Sequence, residues 1–401
     1  MRVDPRWGGG SRQRGPGRDG WDRVDFPLRT VLCSPGGLTR NAYIAQQRES
    51  HGRMAVAVLP IHYPKEILTA LDVLSVELWG PPGAPRGDGA GRIQSYVCSL
   101  ARNALAFMAA GGADAVDGVL FPHTCDSIQG LATLATDFGG WGKKAFTFLH
   151  PKGPARESSR TYLEAELRSL VRDLEPFAGR RLEPARLAAA VALHREIDAC
   201  RAALLDGRPR LAAGDPELYA LLRRGEWLWP EDHLAELREA RDRFREGPIR
   251  PGIPVLVSGY VPEPPALLEV LERSGAYVAA DDYAAVGRRV VRAAAAAPDP
   301  WQAVLDRYWA APPCSTRSAD PDERARYLTG LLERSGARGA ILHILKFCEP
   351  ELFDVPALRR AFAARGVPVL VLEGELELEL SGQAVTRVEA FVEMLAAGRA
   401  A

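Results

Sequence analysis

The chain has 401 residues, too many for a single ordinary core, with 47% hydrophobic and 25% charged residues. Its 51 Lys and Arg balance 51 Asp and Glu, so no overall field draws it to nucleic acid or to an anionic membrane surface. No apolar run approaches the ~20 residues of a membrane span, and the six cysteines are too scattered for a secreted disulfide framework. A soluble, cytoplasmic protein with reduced thiols is expected.

Residues 1–24, rich in Gly and Arg, read as a disordered leader. An N-terminal α/β lobe is expected over 25–155. It has strands at 54–59, 73–79, 118–121 and 144–148 and helices at 65–71, 93–111 and 127–138, the second of which carries Cys98 in its first turns. From 156 to 250 Ala, Leu, Arg and Glu recur with helical periodicity, broken at Pro176, Pro184, Pro209, Pro216 and Pro230. Four or five helices linking two lobes are expected there. A C-terminal α/β lobe is expected over 251–401, with strands at 253–258, 277–280, 339–345 and 367–372 and helices at 264–274, 321–335, 356–365 and 386–397. Strands alternating with helices predict an α/β fold with parallel sheets.

Three cysteines occupy similar settings: Tyr96-Val97-Cys98-Ser99, Phe121-Pro122-His123-Thr124-Cys125-Asp126 and Lys346-Phe347-Cys348-Glu349-Pro350. Cys125 and Cys348 directly follow strand-like runs, and all three precede a polar or helical stretch. Ligands of open α/β sheets bind outside the carboxyl ends of the strands, so three thiols there can hold one soft metal centre. His123 is a candidate proton donor, or else a backbone-bonding loop residue; Glu349 is a candidate acid–base group, or else a solvated carboxylate. Asp126 reads as a helix cap and Glu66 as a first-turn residue. Cys314 is a possible fourth ligand, whereas Cys33 and Cys200 read as small apolar fillers. Trp227-Leu228-Trp229 reads as a helix-end core cluster, and the acidic run 373–379 as a half-exposed strand.

These stretches, with Pro64-Lys65-Glu66, Glu77-Leu78-Trp79-Gly80, Ala280-Asp281-Asp282 and Gly382-Gln383-Ala384, resemble the 2-hydroxyacyl-CoA dehydratase and benzoyl-CoA reductase iron–sulfur subunits over residues 55–395. Trp79-Gly80 and Phe121-Pro122-His123 are most similar to the smaller reductase-type subunits. The resemblance implies two flavodoxin-like (Rossmann-like) lobes with a 4Fe–4S cluster between them, held here by Cys98, Cys125 and Cys348. It also implies low-potential electrons from an ATP-hydrolysing iron–sulfur activator, an acyl-CoA thioester substrate, and pairing with a related second subunit or with a second copy. A stand-alone double-cubane reductase and a non-catalytic electron-transfer or scaffold subunit are the alternatives. The chain itself has no GxxxxGK[ST] phosphate loop and no GxGxxG after a first strand, so ATP hydrolysis and a dinucleotide site are not expected.

Overall fold

The computed structural model describes residues 38–81, 93–138, 140–153, 155–244, 247–292, 297–317 and 320–398. The expected leader, Cys33 and most of the loop after Gly80 lie outside them.

Among the described residues two four-stranded sheets form, both wholly parallel. The first contains β1 (Ala55–Val58), β2 (Leu74–Glu77), β3 (Gly118–His123) and β4 (Lys144–Leu149) in the order β2-β1-β3-β4. The second contains β5 (Ile253–Gly259), β6 (Ala276–Tyr283), β7 (Gly339–Leu345) and β8 (Val369–Gly374) in the order β6-β5-β7-β8. Both reproduce the 2-1-3-4 winding of flavodoxin-like sheets, whose ligand crevice opens beside the first strand, where the order reverses. The expected α/β fold with two lobes is therefore the one observed.

Alternation along the strands explains why both faces of the first sheet are covered. Val56, Val58, Leu120, Phe146 and Phe148 point to one face, under α5 (Glu157–Ala178) and α6 (Pro184–Gly207). Ala55, Ala57, Val76, Val119 and Phe121 point to the other, in an apolar cluster that continues without a break into the second sheet.

Helices α1 (Arg40–His51), α2 (Lys65–Ala70), α3 (Ser99–Ala109) and α4 (Asp126–Thr133) precede the helical segment, in which α7 (Asp215–Arg223) and α8 (Pro230–Arg243) follow α5 and α6. The second lobe adds α9 (Ala266–Arg273), α10 (Pro300–Ala310), α11 (Pro321–Ser335), α12 (Glu349–Ala363) and α13 (Gly382–Ala397).

Several expectations are corrected. The third helix begins at Ser99 and not at residue 93, so Cys98 caps it from outside. Pro176 does not break α5, because it lies in the last turn before the left-handed Gly179. The helix expected at 356 starts at Glu349, with Pro350 in the first turn, where its missing N–H costs nothing. The acidic run is strand only to Gly374, because β7 turns away after Leu345 and leaves no partner beyond that pair. Helices α1 and α10 add to the expected set. Although it comes late in the sequence, α10 packs Ala303, Val304 and Leu305 with α5 and α6 on the first lobe.

A buried ionic knot joins the lobes. Glu77, fully buried at the end of β2, accepts both Nη1 and Nη2 of Arg289 at 2.8 and 2.9 Å. Its other partners are Lys65 Nζ at 2.8 Å, the Tyr63 hydroxyl at 2.8 Å and Trp79 Nε1 at 2.8 Å. Burial alone would raise the Glu77 pKa, but the Arg289 and Lys65 charges outweigh it and hold the group ionised. Removing one member of such a knot strands the rest. Glu77→Gln is expected to cost about 3–5 kcal/mol, seen as a large fall in the denaturant midpoint. Removing the exposed Glu164–Arg168 pair, 2.7 Å apart on α5, should cost only about 0.5 kcal/mol or less. Equal effects would show that Glu77 is not the tie.

Acid should loosen the fold before it reaches the carboxylates. His150, His194, His233 and His343 are buried, and burial lowers the pKa of each, to about 3 for His194 and about 4 for His343. Between pH ~6.5 and ~4 the unfolded chain takes up protons that the native chain refuses, so stability falls as pH falls through that window. His343, whose ring meets the Tyr283 hydroxyl at 3.1 Å, contributes up to roughly 3 kcal/mol of this at pH 4. Urea unfolding at pH 7 and pH 5 should show a smaller loss for His343→Asn than for wild type. An identical pH slope would assign the acid sensitivity elsewhere.

Candidate functional site

Each of the three motif cysteines stands at the N-cap of a helix: Cys98 before α3, Cys125 before α4 and Cys348 before α12. Cys125 leaves β3 and Cys348 leaves β7, the equivalent strand of each lobe. Phe347, at φ 62°, makes the tight turn that delivers Cys348. Cys98 is held from the other side. Gly80, at φ 64°, passes so close to α3 that a Cβ would sit 2.2 Å from the Leu100 carbonyl oxygen, which accounts for glycine after Trp79. Past β8, Leu376 N–H donates to Ser99 Oγ at 2.8 Å, Asn103 donates to the Leu376 carbonyl at 3.1 Å, and Arg102 pairs with Glu375 at 2.6 Å. The acidic stretch thus anchors the first turn of α3 from the opposite lobe.

The three thiols lie near enough to feel one another's charge. Cys98 and Cys348 are buried and Cys125 is half-buried, and each thiolate would repel the next. Burial pushes Cys98 up to about 11 and raises Cys125 and Cys348 as well. Backbone amides at the helix starts (Leu100 and Ala101, Ser127 and Ile128, Glu351) act the other way. Three thiols, two of them buried, that repel as anions and stand at helix N-termini are suited to one shared cation-rich centre, since a coordinated thiol gives up its proton outright. Among the described residues no three His, Cys, Asp or Glu groups are close enough to hold a single metal ion.

Around the thiols lie Tyr260 and Lys152, which the sequence did not single out, and Cys314, which it did. Tyr260, the residue after β5, is buried with its hydroxyl unpartnered, and it senses Cys314, Cys348 and Cys125. Cys314 is fully buried, 3.4 Å from Arg288 Nη1 and 3.2 Å from the Thr316 hydroxyl. Lys152, which donates to the Thr124 carbonyl at 2.8 Å, feels both Cys125 and Cys314. Cys314 therefore shares neighbours with the motif cysteines, whereas Cys200 packs in the apolar core.

Below them is a buried network. Arg288 binds Asp282 at 2.8 Å and Glu351 at 2.7 Å, and Arg324 binds Asp282 at 2.9 Å. Burial alone would raise the Glu351 pKa, but the Arg288 and Arg324 guanidiniums hold it down to about 2.

His123 ends β3 beside Gln129, Asp126 and Lys152, and burial and the Lys152 charge lower its pKa. Glu349 is exposed as the first residue of α12, and the carboxylate turned inward there is Glu351. Asp126 is the first residue of α4, one position inside the cap expected for it. Glu66 is buried and paired with Arg307 at 2.7 Å. Trp227 and Trp229 are core residues, as expected. Only pairing across the chain distinguishes Arg288, Arg324 and Glu351 from solvated charges. The Asp281-Asp282 pair at a strand end was the one local signal.

Known proteins give an independent comparison. The chain is 25% identical over 353 residues to lactoyl-CoA dehydratase subunit beta of Anaerotignum propionicum, covering 86% of this chain and 92% of the relative. It is 22% identical over 361 residues to (R)-phenyllactyl-CoA dehydratase beta subunit of Clostridium sporogenes, covering 88% and 95%. It is 28% identical over 341 residues to a subunit of benzoyl-CoA reductase from Thauera aromatica, covering 79% and 84%. The family model described as 2-hydroxyglutaryl-CoA dehydratase, D-component, matches residues 60–395, which include all three motif cysteines, and the chain belongs to this family.

Proposed function

We propose that this chain is the iron–sulfur subunit of an enzyme that dehydrates a 2-hydroxyacyl-CoA or reduces an aromatic acyl-CoA, and that Cys98, Cys125 and Cys348 hold a 4Fe–4S cluster. The observation that carries this reading is the convergence of three N-cap thiols from two lobes on one cleft. The family membership and the names of the relatives support the reaction class.

When bound, the cluster supplies one-electron chemistry at low potential. The protein's own part is positioning and electrostatics. The thiolates fix the centre between the lobes, and the helix N-termini and amides stabilise their negative charge. Tyr260 offers a free hydroxyl hydrogen in a dry wall, and Lys152 brings a positive charge to the Cys125 side. The Glu77–Arg289 tie joins the two lobes that bound the cleft. The chain has no phosphate loop of its own, so the reading assigns electron delivery to a separate ATP-hydrolysing activator.

A related second subunit is part of the proposal, because relatives are named as subunits. Tyr96 and Phe347, large exposed residues beside Cys98 and Cys348, give such a partner an apolar foothold at the mouth of the site.

Anaerobic purification should yield about four irons per chain, with most of the iron lost in Cys348→Ala and none lost in Cys200→Ala. About eight irons per chain would favour the double-cubane reading, with Cys314 as the extra thiol nearest the group. An iron-free wild type, or equal iron in Cys348→Ala, would overturn the cluster assignment. Turnover of a 2-hydroxyacyl-CoA or benzoyl-CoA by the chain with its partner and activator then tests the reaction class.

A further inference from the structure

A cavity of about 130 Å³ opens beside the loop that follows β1, between α2, α6, α10 and the Arg289 segment. That is room for several waters or one small organic molecule. Its walls combine apolar surface, from Ile61, Phe148, Leu167 and Val304, with an excess of positive charge.

Pairing across the cavity wall shows where the excess resides. Glu77 engages Lys65 and Arg289, while Glu66 and Asp198 engage Arg307 at 2.7 and 2.8 Å. Two guanidiniums are left over. Arg317 donates to the backbone carbonyls of Tyr308, Ala311 and Pro312, has no carboxylate partner among the described residues, and leaves its Nε unpartnered. Arg201, 6% exposed, forms no direct hydrogen bond or ion pair with any described residue: Asp198 and Glu77 oppose its charge from further off, Arg289 adds to it, and its Nε is buried and unpartnered. A buried guanidinium without a direct anionic partner is costly, and native proteins keep such groups satisfied.

Two further features mark the same wall. His62 Nε2 is buried and unpartnered, and the backbone beneath it is strained, with Ile61 at φ 85° and His62 at φ 56°. A β-branched residue in the left-handed region is a true outlier, and such strain gathers at binding sites.

We propose that this cavity binds a short organic acid as its anion. The carboxylate would meet Arg201, whose planar fork matches it, with the Arg317 charge on the same wall, and the hydrocarbon body would lie on Phe148, Leu167 and Val304. The apolar half of the wall favours an organic acid over inorganic phosphate. A neutral thioester carbonyl would leave both guanidiniums uncompensated. The assignment does not depend on the iron–sulfur reading, because its readout is binding and not turnover.

The test is calorimetric titration of the anaerobically purified full-length chain with butyrate, succinate, inorganic phosphate and butyryl-CoA, at constant ionic strength. Saturable binding of butyrate or succinate is expected, weakened roughly tenfold or more in Arg201→Met and largely retained in Arg201→Lys. Without ligand, Arg201→Met should melt no lower than wild type, because it removes a buried charge that has no direct hydrogen-bonded partner. Binding of phosphate alone, binding of the thioester alone, no binding, or binding undiminished in Arg201→Met would each overturn the proposal. A large loss of ligand-free stability in Arg201→Met would do so too, by making Arg201 a structural residue.

Discussion

Glu77 sits fully buried at the end of β2 and gathers Lys65, Tyr63 and Trp79 from its own lobe and Arg289 from the other. A carboxylate there would be prohibitively costly if bare. Paired on every side, it ties the lobes together, because Arg289 reaches it from the second lobe while Tyr63, Lys65 and Trp79 hold it within the first. Both candidate sites lie beside residues of this knot. On one side Arg288, the neighbour of Arg289, reaches Asp282, Glu351 and Cys314 under the cysteine cleft. On the other, Arg289 itself forms part of the wall of the cationic cavity.

The two lobes repeat one scheme. In each, the third strand of the sequence runs into a cysteine that caps the next helix, so Cys125 and Cys348 occupy equivalent places on facing sheets. In each, the first strand ends beside the crevice where the winding reverses: Tyr260 after β5, and the strained Ile61–His62 turn after β1. Cys98 breaks the symmetry. It comes from the helix after the second strand of the first lobe and is steadied by Glu375 and Leu376 of the second, so the first lobe supplies two thiols and the second one.

The strands were legible because their apolar runs are short, rich in Val, Ile and Leu, and punctuated by Gly and Pro. The three cysteines were legible because each stands at such a boundary. What escaped was whatever depends on distant partners. Helix α1 shows a narrow apolar stripe, Tyr43 and Ile44, in an otherwise polar segment. Helix α10 carried a usable signal in Asp299-Pro300, an N-cap followed by Pro at the first helical position. Arg288, Arg324 and Glu351 look like ordinary surface charges in the sequence. They are buried because they neutralise one another over separations of 27 to 63 residues. Glu349 drew attention through its place beside Cys348. Yet helical geometry turns the residue two positions on, Glu351, inward in its place.

Helix α10 gives the molecule a property that its two sheets do not suggest. The chain leaves the second lobe after β6, lays residues 300–310 across the helices of the first, and returns to build α11 and β7. The halves are therefore laced together as well as touching, with a piece of the second lobe's chain sewn into the first. Cutting the polypeptide between the lobes would not release two folded pieces, since the first would lack a wall. A cleft stitched in this way is bounded by a single chain that crosses from lobe to lobe and back, so the walls on its two sides are continuous in sequence as well as in contact.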